Sequence, residues 1–193
     1  LEKEDGNTYP THGLGPIAHI MNIHRGDKMD YLVSVSTEQF GMTSYAKDKF
    51  GDTSKYAKVD YAKGDMNTTI VKTNKGKTIM IQHDVTSPRP YSRIHLVSGT
   101  KGFARKWPKK GIALEPNAHH FLNEQALDSM LKKYEHPIVT EVGQKAKEVG
   151  GHGGMDFIMD YRLIYCLKNG LPLDQDVYDA AEWSAIIELS RIS

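Results

Sequence analysis

The sequence predicts an α+β fold in which a mainly antiparallel, open sheet is covered on one face by helices. Strand candidates dominate the chain as far as residue 114, and helix candidates dominate it from residue 124. A run of strands followed by a run of helices is typical of α+β domains. The segment Asn74-Lys75-Gly76 separates two strand candidates and predicts a hairpin turn. A chain of 193 residues can bury one large core, so we expect residues 1–193 to form a single domain.

The elements can be predicted in order from turn residues and periodicity. Pro10 and Pro16 each suit the first turn of a helix, which we expect to end near Asn22–Gly26. Met29–Phe40 alternates apolar and polar residues and predicts a strand, and Gly41–Gly51 predicts a short helix or an irregular lobe. Further strands are predicted at Thr68–Thr73, Lys77–Val85, Tyr91–Ser98 and Phe103–Trp107, and a short segment, Ile112–Leu114, follows them. Further helices are predicted at Glu124–Tyr134, Ile138–Val149, Met155–Leu167 and Val177–Leu189.

Composition excludes several classes of function. A formal net charge of +1 does not favour nucleic acid or an anionic membrane as a partner. No apolar run approaches the roughly 20 residues of a membrane span. A single cysteine, Cys166, excludes an intrachain disulfide. Because the chain begins with Leu1 rather than Met, we expect that a preceding segment was removed by processing or by cloning.

The segment Tyr9-Pro10-Thr11-His12 is the strongest candidate site. It places a phenol, a hydroxyl and an imidazole within four residues, next to a predicted helix start. Tyr9 could donate a hydrogen bond to a substrate oxygen, and His12 could accept a proton. The alternative is a capped helix start with a packed tyrosine, and spacing alone does not decide between the two.

Three other segments carry weaker signals. Ser87–Tyr91 contains two prolines and would hold Tyr91 at a strand start where its hydroxyl reaches a cleft, although the segment alone favours a loop with an interface tyrosine. His83 and Asp84 are neighbours in a predicted strand and face opposite ways, which argues against a catalytic pair. The glycine-rich run Gly150–Asp156 offers His152 to a ligand, a metal or a neighbouring chain, or it is a tight connection between helices.

Other common catalytic signatures are missing from the sequence. His119 and His120 are adjacent and have no well-placed carboxylate, so no metal site is predicted. No pair of acids stands out for ordinary glycoside hydrolysis, and there is no nucleophile elbow, P-loop or dinucleotide fingerprint. Residue chemistry alone therefore indicates a tyrosine–histidine site of undefined purpose.

A wider set of motifs closely resembles the NAD-dependent glycosidases of glycoside hydrolase family 109, typified by bacterial α-N-acetylgalactosaminidase. The resembling segments are Tyr9–Pro16, Met21–Ile23, Arg25–Asp27, His83-Asp84, Ser87-Pro88, Pro90–Arg93, Gly99–Gly102, Gly150–Asp156, Asn169–Asp174 and Asp176–Ala181. They span nearly the whole chain. Members of the wider glucose–fructose and inositol oxidoreductase group join an amino-terminal Rossmann domain to a carboxyl-terminal α+β domain, and this chain resembles the second domain.

The resemblance implies hydrolysis assisted by NAD. In that chemistry NAD+ takes hydride from C3 of the sugar, a base removes the acidified C2 proton, the C1 leaving group is eliminated, water adds and hydride returns. It implies an N-acetylgalactosaminide or related glycoside as substrate. It also implies that the missing Rossmann domain binds most of the NAD, so that this chain alone would be inactive.

The resemblance also assigns expected roles to residues. Tyr9, Pro10, Thr11 and His12 match the substrate-binding motif, with Tyr9 also near the nicotinamide and His12 in proton transfer, and Tyr91 matches a substrate-contacting tyrosine. His152 and Asp156 match the pattern without an assigned role. We further expect a homodimer through the open sheet face and export from a bacterial cell. The alternatives are a sugar oxidoreductase of the same group and a non-catalytic oligomerisation or sugar-binding module.

Overall fold

A computed structural model describes residues 2–193 and confirms the α+β fold. In chain order its elements are α1 (Thr11–Ile20), β1 (Met29–Ser36), α2 (Gly41–Phe50), a 3-10 turn (Tyr56–Lys58), β2 (Met66–Thr73), β3 (Thr78–Asp84), β4 (Leu96–Ser98), β5 (Gly102–Arg105), β6 (Gly111–Leu114), α3 (Glu124–Lys133), α4 (Pro137–Val149), a 3-10 turn (His152–Gly154), α5 (Met155–Asn169) and α6 (Val177–Ile192). No helix among the described residues is long and apolar enough to cross a membrane.

The described residues pack as two compact units. The first contains the chain up to His95 together with Val177–Ser193, and the second contains Leu96–Asp176. Each unit has one antiparallel, three-stranded sheet, with strand order β1-β2-β3 in the first and β4-β5-β6 in the second. A single domain over residues 1–193 stays a prediction.

The first sheet has one buried face and one open face. Alternate residues of β2 and β3, such as Thr69, Val71 and Ile81, are buried, while Val35 and Met80 on the other face are 73% and 66% exposed. Helix α6 contacts β1 and α1. The first unit therefore has an open sheet face, as the sequence predicted.

Asp27 holds the predicted hairpin between β2 and β3. Its carboxylate accepts hydrogen bonds from the Thr73 hydroxyl at 2.9 Å and from the Lys75 amide at 3.1 Å. Burial opposes ionisation of Asp27, but hydrogen bonds from Thr73, from the Lys75 and Lys28 amides and from Lys77 outweigh it and lower its pKa to about 2. The carboxylate thus ties the start of β1 to the turn.

The predicted strand Tyr91–Ser98 is wrong over most of its length. Only Leu96–Ser98 pairs with a neighbour, as β4. Two prolines, Pro88 and Pro90, lack the N–H that a ladder needs, and the His95 ring forms a hydrogen bond with the Gly13 carbonyl at 3.2 Å instead of pairing with a strand. Tyr91 consequently lies in a loop rather than at a strand start.

Pro16, the second of the two predicted helix starts, does not begin a helix. Helix α1 begins at Thr11 with Pro10 at the N-cap, and Pro16 lies inside it. A proline at this depth removes one backbone hydrogen bond of the helix. The helix ends at Ile20, two residues before the predicted range began.

The glycine-rich run of the second unit makes a close connection between α4 and α5. Gly154 has φ +97°, and a Cβ placed there would lie 2.8 Å from the Ala146 carbonyl carbon. Only glycine fits both the positive φ and this approach to backbone. The run therefore sets how the two helices meet.

Candidate active site at the start of helix α1

The start of α1 brings Tyr9 and His12 together. Tyr9 precedes a proline and ends the extended entering segment, so its side chain lies beside the first turn of the helix. The two rings stack with centroids 4.7 Å apart and an interplanar angle of 30°. Tyr9 Oη and His12 Nε2 are 3.2 Å apart and share a hydrogen bond. Tyr9 is 56% exposed and His12 is also exposed, so the pair faces solvent.

This pair can hold and move a proton. A phenol and an imidazole in hydrogen-bond contact can exchange donor and acceptor roles, according to the imidazole tautomer. Either group could reach a hydroxyl of a bound ligand while the other keeps it in place.

The other two residues of the segment have different surroundings. Pro10 is buried at the N-cap, so any contribution it makes is to the position of its neighbours. Thr11 is half-buried as the first residue of α1. The predicted roles of Tyr9, Pro10, Thr11 and His12 in substrate binding stay predictions.

Tyr91 is exposed in the loop that joins the two units' sheets along the chain. Its ring is 68% exposed and the Arg93 guanidinium lies 5.7 Å from the ring centroid. The loop starts with an ion pair of 2.8 Å between Arg89 and Asp84 and ends at the His95 contact with α1. The structure pairs Tyr91 with Arg93, and its predicted substrate contact stays a prediction.

Sequence reasoning missed two residues of this region, His83 and Lys63. The His83 ring lies 6.5 Å from the Tyr9 ring, and its Nδ1 is buried. Lys63 is fully buried and donates to the Gly6 carbonyl. The available signal was the alternation of β3, which places His83 on the face of the buried Ile81. The predicted argument against a His83–Asp84 pair agrees with Asp84 binding Arg89 instead.

His152 and Asp156 form a local contact in the second unit. His152 Nδ1 is 2.9 Å from Asp156 Oδ2, and both side chains are largely exposed. The two residues are four apart across the start of α5, so this contact stabilises the turn. Among the described residues no group of three or more His, Cys, Asp or Glu side chains could hold a metal ion.

Fold and site together define an α+β chain with an exposed tyrosine–histidine pair and no dinucleotide fingerprint in its sequence. The family model described as "Glycosyl hydrolase 109, C-terminal domain" matches residues 2–193. The chain therefore belongs to glycosyl hydrolase family 109, as its carboxyl-terminal domain, and the resemblance drawn from the motifs is confirmed.

Curated relatives agree with this membership. A protein named alpha-N-acetylgalactosaminidase from Bacteroides fragilis is 57% identical over 97% of this chain and 44% of its own length. A glycosyl hydrolase family 109 protein from Phocaeicola vulgatus is 52% identical over 100% of this chain and 46% of its own length. One from a Shewanella species is 53% identical over 99% and 42%. The chain thus spans less than half the length of these relatives.

Proposed function

We propose that this chain is the substrate-facing domain of an NAD-dependent glycosidase that acts on α-N-acetylgalactosaminides. The observation that carries the proposal is the exposed, hydrogen-bonded pair of Tyr9 and His12 at the start of α1. Family membership and the name of the Bacteroides relative support the class of reaction and the sugar. The lack of a conspicuous carboxylate pair fits a glycosidase that does not use the ordinary two-acid mechanism.

The residues present fit one end of NAD. The exposed aromatic ring of Tyr9 is suited to lie beside a nicotinamide, whereas the sequence has no dinucleotide fingerprint between a strand and a helix for the pyrophosphate. Another domain would therefore hold most of the cofactor. When bound, NAD supplies reversible hydride removal at sugar C3, which makes the C2 proton acidic.

In the proposed mechanism the chain's own residues handle the protons. His12 takes the C2 proton at Nδ1, because Nε2 is hydrogen-bonded to Tyr9, while the bond from C1 to the leaving oxygen breaks and that oxygen takes a proton from water. When water adds its oxygen to C1, His12 returns the proton to C2. Tyr9 holds His12 in place through the hydrogen bond between Oη and Nε2. Tyr9, Thr11 and Tyr91 bind sugar hydroxyls.

The test is cleavage of a chromogenic α-N-acetylgalactosaminide with NAD+, by this chain and by the chain joined to its family's dinucleotide-binding domain. We expect activity in the joined protein only. His12→Gln should lower turnover by roughly 10²–10⁴-fold, the usual contribution of a proton-transfer group. His119→Gln, at an exposed position of the second unit, is the control and should keep normal turnover. Near-normal turnover of His12→Gln would remove its catalytic role.

A sugar oxidoreductase would give a different result in the same assay. A glycosidase of this kind returns its hydride in each cycle, so NADH does not accumulate with turnover. Accumulation of one NADH per sugar consumed, without release of the aglycone, would favour the oxidoreductase.

The open face of the first sheet favours a second, compatible role in assembly. Val33 and Val35 on β1 and Met80 on β3 are exposed on either side of β2, where Ile70 is also exposed, and together they form a contiguous apolar surface. Such a surface is typical of an interface, and we assign it to a second copy of the chain. Light scattering should give a dimer that Val33→Lys converts to a monomer. Val149→Lys, at an exposed site of the second unit, should leave the dimer intact. A monomeric parent chain would refute the assignment.

A further inference from the structure

A second imidazole lies behind the Tyr9–His12 pair. His83 occupies β3 on the face that buries Ile79 and Ile81. Its ring is tilted by 46° from the Tyr9 ring at a centroid distance of 6.5 Å. Its Nδ1 is buried and has no hydrogen-bond partner within residues 2–193. A buried polar atom without a partner calls for an explanation, above all beside a candidate active site.

A buried cation accompanies this imidazole. Lys63 is fully buried, and its ammonium group donates to the Gly6 carbonyl. Burial lowers the pKa of His83, the charge of Lys63 lowers it further, and Asp84 opposes both. Burial lowers the pKa of Lys63 as well, against the attraction of Asp5.

Asp84 opposes the lowering of the His83 pKa only weakly, because other groups bind its carboxylate. Its carboxylate accepts hydrogen bonds from the Arg89 guanidinium at 2.8 Å and from the Ser87 amide at 3.0 Å. Burial and the charge of Lys63 therefore lower the pKa of His83 and favour its uncharged form beside the Tyr9 ring.

We propose that His83 is a positioning residue that holds the Tyr9 ring in its stack on His12, and that the buried ammonium group of Lys63 supports this contact. An imidazolium at His83 would attract the face of the phenol ring and draw it from its stack on His12. His83 acts through the contact of its ring with the Tyr9 ring, and its Nδ1 is buried. The inference rests on the proposed function only in that Tyr9 and His12 face a sugar. The coupling between the rings belongs to the chain itself.

The test is an NMR titration of the chain with labelled histidine and tyrosine rings. A His12→Gln background removes the other imidazole that contacts Tyr9. We expect His83 to titrate below its ordinary pKa of 6.5 and the Tyr9 resonances to shift with the same midpoint. Lys63→Met should move both midpoints upward together. Lys58→Met removes an exposed lysine of the same segment and should move neither.

Two results would overturn the proposal. In the first, His83 titrates at its ordinary pKa and the midpoint does not change in Lys63→Met. In the second, the Tyr9 resonances do not shift as His83 titrates. If Lys63→Met does not fold, Asp84→Asn replaces it and should move both midpoints downward together, because Asp84 raises the pKa of His83.

The effect on catalysis separates this inference from the proposed function. In the joined, NAD-containing protein, His83→Leu should lower kcat by about 10-fold with little change in KM, and His83→Asn should restore part of it. If His83 and Tyr9 share a titration midpoint but the joined protein cleaves no glycoside, the proposed function is refuted and the positioning of Tyr9 by His83 is not. Normal kcat in His83→Leu would refute the positioning role.

Discussion

Removal of Arg25 should unfold the first unit more readily than removal of any exposed arginine. Arg25 Nη1 and Nη2 lie 2.7 and 2.6 Å from the two carboxylate oxygens of Asp179, which joins the loop after α1 to α6. The Asp179 side chain is fully buried, whereas that of Arg25 is 35% exposed. Arg25→Met would leave a buried carboxylate without this bidentate partner.

The size of the destabilisation follows from this difference in burial between Asp179 and Arg25. Breaking a buried ion pair from one side costs about 3–5 kcal/mol. Because solvent screens part of the Arg25 charge, we expect the lower end, about 3 kcal/mol in the free energy of unfolding. Arg191→Met is the matched control on α6 itself. Its partners Glu4 and Glu188 are exposed, so its loss should lower the free energy of unfolding far less than the loss of Arg25.

The assay is urea unfolding followed by the fluorescence of Trp183, which is buried on α6 four residues after Asp179. A Trp107→Phe background removes the only other tryptophan, which belongs to the second unit. A loss of about 3 kcal/mol corresponds to a fall of roughly 1–2 M in the urea midpoint. Equal midpoints for Arg25→Met and Arg191→Met would refute the electrostatic reasoning.

Three further predictions concern acid stability, backbone conformation and catalysis. The pKa of Asp27 is about 2 in the folded chain and ordinarily 3.8, so ionised Asp27 stabilises the fold fully above pH 3.8 and this stabilisation is lost as the pH falls toward 2. In acid unfolding followed by circular dichroism, Asp27→Asn should flatten this dependence of stability on pH. Gly154→Ala should destabilise the second unit by about 1–3 kcal/mol or more, since it adds a clash with the α4 backbone to the strain of positive φ. Gly153→Ala has similar strain but open space, so equal losses in Trp107-monitored melts would contradict the clash. Tyr9→Phe keeps the stacked ring and removes the hydroxyl bound to His12, so kcat of the joined protein should fall while the fold is unchanged; an unaltered kcat would contradict the role of the hydroxyl.

Local sequence signals were enough to predict most elements. The hairpin around Asn74–Gly76 and the starts of α3 and α6 follow from turn residues and periodicity over a few positions. Tyr91–Ser98 failed because its alternation suits a strand while its neighbours are prolines and its end binds α1. A local pattern does not contain that long-range contact.

The candidate site also combines residues that the local sequence could suggest with residues that only long-range packing brings together. Tyr9 and His12 are three residues apart, so a helix start brings them together and the sequence could suggest the pair. His83 and Lys63 reach the same region from 74 and 54 residues beyond Tyr9, through the packing of β3 and a buried lysine. Residue chemistry gives no reason to expect a fully buried ammonium group, because lysines are almost always exposed.

The proton transfer proposed for His12 can be measured at the sugar itself. An α-N-acetylgalactosaminide is hydrolysed in D2O by the chain joined to its dinucleotide-binding domain, with NAD+, and the released sugar is examined by NMR against an enzyme-free control. A proton that leaves C2 for an imidazole exchanges with solvent before it returns. We predict one deuterium at C2 of the product, and its loss together with turnover in His12→Gln. Hydrolysis that leaves protium at C2 would contradict the central claim that the Tyr9–His12 pair serves an elimination mechanism.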